Sequence, residues 1–224
     1  MSHPDHARWQ QCWRDKQTDF HLAHVHPLLK QFWPTLDLGT DDRVFVPLCG
    51  KSRDLMWLRT QGHHVTGVEL SPVAVRTLFK ESRLQAVRTQ DTRFTRWEQA
   101  GLRIFCGDFF ALSADDLLGT RAVYDRAALT ALPEDLRPAY IAHLAAILPT
   151  DCVQLLLTIE DLEEEEDESS VLAISEEVLD LYDRQFHVSL RYAACFPATL
   201  AADGHRGEGR SVHKVYKISK RLPD

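Results

Sequence analysis

Three short stretches carry residue types able to hold a nucleotide-like ligand. Pro47-Leu-Cys-Gly50-Lys51 places a glycine between an apolar run and a helix start. A glycine there lets backbone approach a ligand at the helix N-terminus. Glu69 follows 19 residues later, at the end of the next apolar run. A carboxylate at that spacing can accept two hydrogen bonds from a ribose diol, or it can be an exposed acid capping the next helix. Gly107-Asp108-Phe109-Phe110 closes a third run. Asp108 could accept from an adenine amino group while Phe109 packs on the ring. The alternative is a helix cap followed by two core aromatics. The dinucleotide fingerprint GxGxxG is absent, which argues against a nicotinamide enzyme.

Other reactive residues point to less. His24 with His26, and His63 with His64, invite a metal reading. Residues one or two apart do not share a helix face, and no HExxH is present. Cys49 has no histidine or aspartate pattern beside it and reads as a small packed residue. The five cysteines (Cys12, Cys49, Cys106, Cys152, Cys195) are odd in number, widely spaced and without a CxxC. That pattern disfavours a disulfide framework or structural zinc and predicts reduced thiols in a cytoplasm.

The elements that must position these residues alternate. Arg43 to Leu48, His64 to Glu69, Leu102 to Cys106, Ala122 to Tyr124 and Cys152 to Ile159 read as strands. Ser52 to Gln61, the segment opened by Ser71-Pro72, and Pro133 to Ile147 read as the helices between them. Leu22, Val25, Leu28, Leu29, Phe32 and Trp33 recur at helical spacing ahead of the first strand. A short hairpin is expected around Phe94 to Glu98, and Glu176 to Asp183 reads as a helix. His187 to Ala194 and Ser211 to Ile218 read as two closing strands. This order predicts an open, mostly parallel α/β sheet with helices on both faces, whose ligands bind beyond the strand carboxyl ends.

Composition bounds the alternatives. The chain has 224 residues, 44% hydrophobic and 26% charged, and divides nowhere by linker, repeat or composition shift. One domain is expected over 1–224. The formal charge of -7 is local: Glu160 to Glu168 holds eight of the 33 acids and no base, leaving 25 acids against 26 bases elsewhere. Residues 160–170 are expected to form a solvated acidic loop, lacking the alternating ligands and glycine of a calcium site. No basic footprint for nucleic acid is present. No apolar run approaches a bilayer span, and Met1 to Lys16 lacks the apolar core of a secretory signal. A cytoplasmic protein with neither nucleic-acid nor membrane partners is therefore expected.

Taken with their neighbours, these stretches resemble the thiopurine S-methyltransferase family in its bacterial form. Val44-Phe-Val-Pro-Leu-Cys-Gly-Lys51 is similar to its first-strand signature, where most S-adenosylmethionine (SAM) enzymes place several glycines. Gly62-His, Gly67-Val-Glu-Leu-Ser71, Gly107-Asp-Phe-Phe110 and Tyr124-Asp-Arg-Ala-Ala-Leu129 follow in the same order. Trp9, Trp13 and Phe20-His21 precede them.

The resemblance implies a SAM-dependent methyltransferase with a Rossmann-like, seven-stranded sheet and an antiparallel final hairpin. It implies that Trp13, Leu48, Glu69 and Arg126 line the SAM site, to which the reading of the first turn adds Gly50. Residues 1–38 are then expected to close over SAM as a helical lid, since two tryptophans and Phe20 need a ligand to cover. Trp9, Gly107 and Asp108 would lie beside the cofactor, and Phe20 would face the acceptor. On residue spacing alone, the two tryptophans read as core and Arg126 as a surface partner of Asp125 or Glu134. The acceptor implied is a small-molecule thiol, a thiopurine, or a selenium or tellurium species, and the enzyme is expected to be a monomer. Two departures bear on the acceptor. Glu160 to Ser170 replaces a Gly-Pro-Pro-Phe segment of relatives, and Gly204 to Arg210 is irregular where they carry an acceptor-side arginine. Arg206 is the nearest counterpart, with Arg210 close behind. A SAM-binding protein without turnover, acting through a partner at the acidic loop, and an oxygen or nitrogen methyltransferase are the alternatives.

Overall fold

A computed structural model describes residues 4–18, 20–162, 172–197 and 210–221. Strands β1 (Arg43–Val46), β2 (His64–Glu69), β5 (Leu102–Cys106), β6 (Thr120–Arg126) and β7 (Val153–Leu162) pair in parallel, in the order β5-β2-β1-β6-β7. Two antiparallel hairpins extend the edges: β3 (Val87–Gln90) with β4 (Thr95–Gln99) beside β5, and β8 (Phe186–Pro197) with β9 (Arg210–Lys220) beside β7. The sheet therefore has nine strands. The two beyond the expected seven are the β3–β4 hairpin around Phe94.

The helices start where their caps dictate. Helix α1 is Pro4–Asp15, α2 Pro27–Phe32, α3 Arg53–Thr60 and α4 Pro72–Glu81. His26 accepts from Leu28 N at 3.2 Å and caps α2, so it serves the helix rather than a metal. Ser52 and Ser71 cap α3 and α4. Helices α5 (Ala128–Ala131), α6 (Arg137–Ile147) and α7 (Glu176–Tyr182) follow β6 and β7. Two cores lie on opposite faces of the sheet, one including Phe45, Val123, Tyr140 and Tyr182, the other Val44, Leu55, Trp33 and Tyr124. Side chains alternate along β6, so Tyr124 and Arg126 share the α3 face while Asp125 points the other way.

The acidic stretch begins later than expected. Glu160 and Asp161 continue β7 opposite Val212 and Ser211. Glu160 accepts from Lys214 Nζ at 2.7 Å, and Lys214 is 2% exposed. A buried ammonium needs that partner, which keeps Glu160 in the sheet. The rest of the stretch, and Arg206, lie outside the described residues.

Gly67 shows how closely the central strands approach. A Cβ built there would stand 2.7 Å from Cys49 Sγ and 2.8 Å from Ile104 Cδ1. Gly67→Ala should destabilise the protein by about 1–3 kcal/mol through overpacking. A urea midpoint equal to wild type would show that the neighbours can yield.

Candidate functional site

The chain leaves β1 toward α3 through a turn of unusual backbone. Leu48 has φ +44 and Gly50 φ +54, both in the left-handed region. The first is uncommon for a bulky residue. Cys49 N donates to Val68 O at 2.9 Å, laying the turn over β2. The Cys49 thiol is buried, and burial raises its pKa well above the usual thiol value, so it packs rather than attacks.

Glu69 lies beneath this turn, 6% exposed. Its Oε2 accepts from Gly50 N at 2.9 Å and its Oε1 from Ser71 N at 2.6 Å. One carboxylate thus ties the first strand end to the start of α4. Burial pushes its pKa up to about 7, against the amides of Ser71, Gly50 and Leu70 that favour the ionised form. The exposed-cap alternative fails on burial, although Glu69 does receive an amide at the α4 entrance. A carboxylate offers about four lone-pair sites, so both oxygens retain capacity for a ligand.

Helix α1 covers the turn and packs on α4. Trp9 and Trp13 share a face, and Phe20 stands edge-on to both, with ring centroids 5.4 and 5.6 Å away. Trp13 closes over Gly50: a Cβ built on Gly50 would lie 3.1 Å from Cζ2. That contact requires glycine twice, for its φ and for the ring above it.

Beyond β5, Asp108 Oδ1 accepts from Phe110 N at 2.9 Å and caps a short 3-10 turn, Phe109–Ala111. His6 Nε2 from α1 approaches the same oxygen at 3.8 Å. Phe109 is buried against Tyr140 in the core, with centroids 4.8 Å apart. The cap-and-core alternative therefore describes these two residues, yet both also reach the cavity. Gly107 does not line it. A Cβ there would meet Phe94 Cδ1 at 2.6 Å and Arg93 O at 2.8 Å, so packing against the β3–β4 hairpin accounts for this glycine.

The opposite wall comes from the end of β6. Arg126 Nε lies 3.7 Å from Asp54 Oδ2, with the Arg126 side chain 14% exposed. Its ion-pair partner is neither Asp125 nor Glu134, because β6 turns Arg126 toward α3. Asp125, on the other face, receives Tyr140 Oη at 2.6 Å and Ala128 N at 3.1 Å. Burial pushes its pKa up to about 6. It fixes the turn at Ala127, where φ is +65.

One cavity thus collects Trp9, Trp13, Phe20, Leu48, Gly50, Glu69, Asp108 and Arg126, drawn from both ends of the first 130 residues. It also collects His21, Lys51 and Asp54, which sequence reasoning did not assign. Lys51 and His21 were visible as motif members without a role. Asp54 looks like any acid in a first helical turn. Lys51 Nζ pairs with Glu81 at 2.8 Å beside His21. Burial, then Lys51, lowers the His21 pKa, which favours the neutral imidazole. Among the described residues no cluster of histidine, cysteine or carboxylate could hold a metal ion, and no helix is long and apolar enough to cross a membrane.

Comparison with known proteins matches this arrangement. The thiopurine S-methyltransferase family pattern fits residues 4–221. The chain is 44% identical over 224 residues to a thiopurine S-methyltransferase of Stutzerimonas stutzeri, covering 100% of this chain and 94% of that one. It is 39% identical over 212 residues to one of Pseudomonas fluorescens, covering 95% and 96%. A SAM-dependent methyltransferase from Anabaena variabilis superposes with a TM-score of 0.64 at 14% identity, over 98% of this chain and 96% of that one. Another from Thiobacillus denitrificans, in complex with S-adenosyl-L-homocysteine, gives 0.61 at 12% identity over 94% and 98%. At those identities the two structures speak for the fold, and the family match for the chemistry. The chain belongs to the thiopurine S-methyltransferase family and is a SAM-dependent methyltransferase.

Proposed function

We propose that the acceptor is a soft nucleophile: a thiol or thiopurine sulfur, or a selenium or tellurium anion. The observation that carries this is the state of the cavity carboxylates. Asp5 pairs with Arg8 at 3.5 Å, Asp54 holds His26 N and Tyr124 Oη, Glu69 holds two amides, and Asp108 caps Phe110. Each is already tied to protein donors, and Glu69 and Asp108 are assigned to the cofactor, so none is left over as the base that an alcohol would need within hydrogen-bond reach. A thiol near pKa 8.5 is already a few per cent thiolate at pH 7 and needs no such base.

The residues fit SAM. Glu69 suits a ribose diol, and the Trp9, Trp13 and Phe20 rings suit a cation, worth about 1–2 kcal/mol each when desolvated. Arg126 suits a carboxylate. When bound, SAM supplies an electrophilic methyl group on a sulfonium. The chain's own part is to hold the acceptor in line with that group, to place Lys51 near its negative charge, and to keep water out beneath α1. Holding reactants in line can lower the barrier by about 7–11 kcal/mol. No covalent bond to the protein is required. We infer a monomer in the cytoplasm, a reducing compartment with which five cysteines outside any disulfide are in keeping.

An oxygen or nitrogen acceptor is favoured by one observation: His21 lines the cavity, and burial, then Lys51, lowers its pKa. Both readings meet in one experiment: pH–rate profiles for three aryl thiols of graded acidity, with wild type and His21→Asn. Soft-acceptor chemistry makes the apparent pKa follow each thiol, and the variant loses less than about tenfold. A single apparent pKa common to all thiols, with a loss of about 10²–10⁴-fold in the variant, would establish His21 as a general base and retire the proposal.

A further inference from the structure

Asp54 is 1% exposed, and a buried carboxylate is retained only where partners compensate its lost hydration. Its own helix does not require it. The Asp54 amide is already capped by Ser52 Oγ at 3.2 Å, so α3 starts without help from the Asp54 side chain. Every partner of that side chain lies far away in sequence. Oδ1 accepts from His26 N at 2.8 Å, where the chain turns from the N-terminal segment into α2. Oδ2 accepts from Tyr124 Oη at 2.9 Å and faces Arg126 Nε at 3.7 Å.

Arg126 shows what this accomplishes. A guanidinium carries five donors in a planar fork. Among the described residues the Arg126 guanidinium makes no hydrogen bond, and the contact with Asp54 is its one ion pair. The Nε side faces Asp54, and the guanidinium lines the cavity with its donors unbonded among the described residues. Tyr124 shares this face of β6 and is itself wedged edge-on against Trp33, centroids 6.2 Å apart. It therefore fixes the position of the oxygen that Arg126 faces.

We infer that Asp54 is a positioning residue: it aims the Arg126 guanidinium into the cavity and seats the entry of the N-terminal segment through His26. The inference rests on the reading that Arg126 holds SAM. Asp54→Asn isolates the effect. The asparagine oxygen can still accept from His26 N, while the amide in place of Oδ2 removes the charge facing Arg126 and reverses the hydrogen bond with Tyr124 Oη, whose cost the thermal melt reads.

The experiment is a four-way calorimetric titration with SAM of wild type, Asp54→Asn, Arg126→Ala and the double variant, with a thermal melt of each. Asp54→Asn should weaken binding about five- to tenfold, and Arg126→Ala at least as much. The double variant should bind within about twofold of Arg126→Ala, because Asp54 has nothing left to aim. If Asp54→Asn melts before titration is possible, Asp54→Ser, smaller and still an acceptor, goes through the same comparison. Independent losses that multiply in the double variant, or wild-type affinity in Asp54→Asn, overturn the inference while leaving Arg126 in the site. Wild-type affinity in Arg126→Ala removes Arg126 from the site and the inference with it.

Discussion

A protein lacking residues 1–20 folds, and turns SAM over at least about 10²-fold more slowly than the full chain. The folding half follows from the cores. Neither core cluster, nor the side chains packed against it, includes any of residues 1–20, so the deletion removes a cover rather than a filling. The α2 entrance survives, because His26 and its bond to Asp54 remain. The catalytic half follows from what α1 brings: Trp9 and Trp13 flanking Phe20 above the Gly50 turn, and His6 facing Asp108. Without them the cavity opens to water on that side, and both orientation and exclusion of water suffer. Steady-state formation of S-adenosylhomocysteine, beside a circular-dichroism melt, measures both halves. Full activity in the shortened protein would take Trp9, Trp13 and Phe20 out of the site.

Glu69→Gln should cut SAM affinity about tenfold, and Glu69→Ala by more, since a charge-assisted hydrogen bond is worth about 1.5–3 kcal/mol. The alanine also strands the Gly50 and Ser71 amides, so it should melt earlier; glutamine is the cleaner test. The pH dependence carries a sign of its own. The Glu69 pKa rises from 4.5 to about 7 on folding, by burial. Between those values the folded protein holds a proton that the unfolded chain has released. Ligand-free stability therefore falls as pH rises through that window, by roughly 3 kcal/mol in all. Asp125, pushed from 3.8 to about 6, adds the same sign over a lower window. The interval from pH 6 to 7 thus reports Glu69 most directly. SAM affinity runs the opposite way, because a diol donates to the ionised form: it should weaken as pH drops below about 7. Glu69→Gln flattens both profiles. A wild-type affinity that ignores pH between 6 and 8 would remove the diol assignment.

Much of this was legible in the chain because it is local. The caps at Ser52 and Ser71, the alternation of strand and helix, and the 19-residue step from Gly50 to Glu69 are all set by neighbours in sequence. What stayed hidden is carried by contacts between distant residues. Asp54 meets Tyr124 from 70 positions away and His26 from 28, and nothing in its own neighbourhood marks it. Gly107 drew attention as part of a motif, but its demand for a hydrogen comes from Phe94. Trp9 and Trp13 read as core on spacing alone, since a helix face of indoles looks the same whether a ligand or a core lies beneath it. The strand β7 runs past Ile159, where a run of acids suggests solvent, because Lys214 holds Glu160 in the sheet.

Leu48 adopts a backbone conformation that costs about 1–3 kcal/mol and persists only where the surroundings over-determine it. Here they do: Cys49 N is fixed to Val68, Gly50 N to Glu69, and Ser52 N to Cys49 O at 3.2 Å. A turn held this way has little freedom left to surrender when a ligand arrives. Ordering on binding must then fall on the other side of the cavity, in α1. If SAM binds as proposed, its residence time should then depend on the grip of this one twelve-residue helix more than on the turn beneath it.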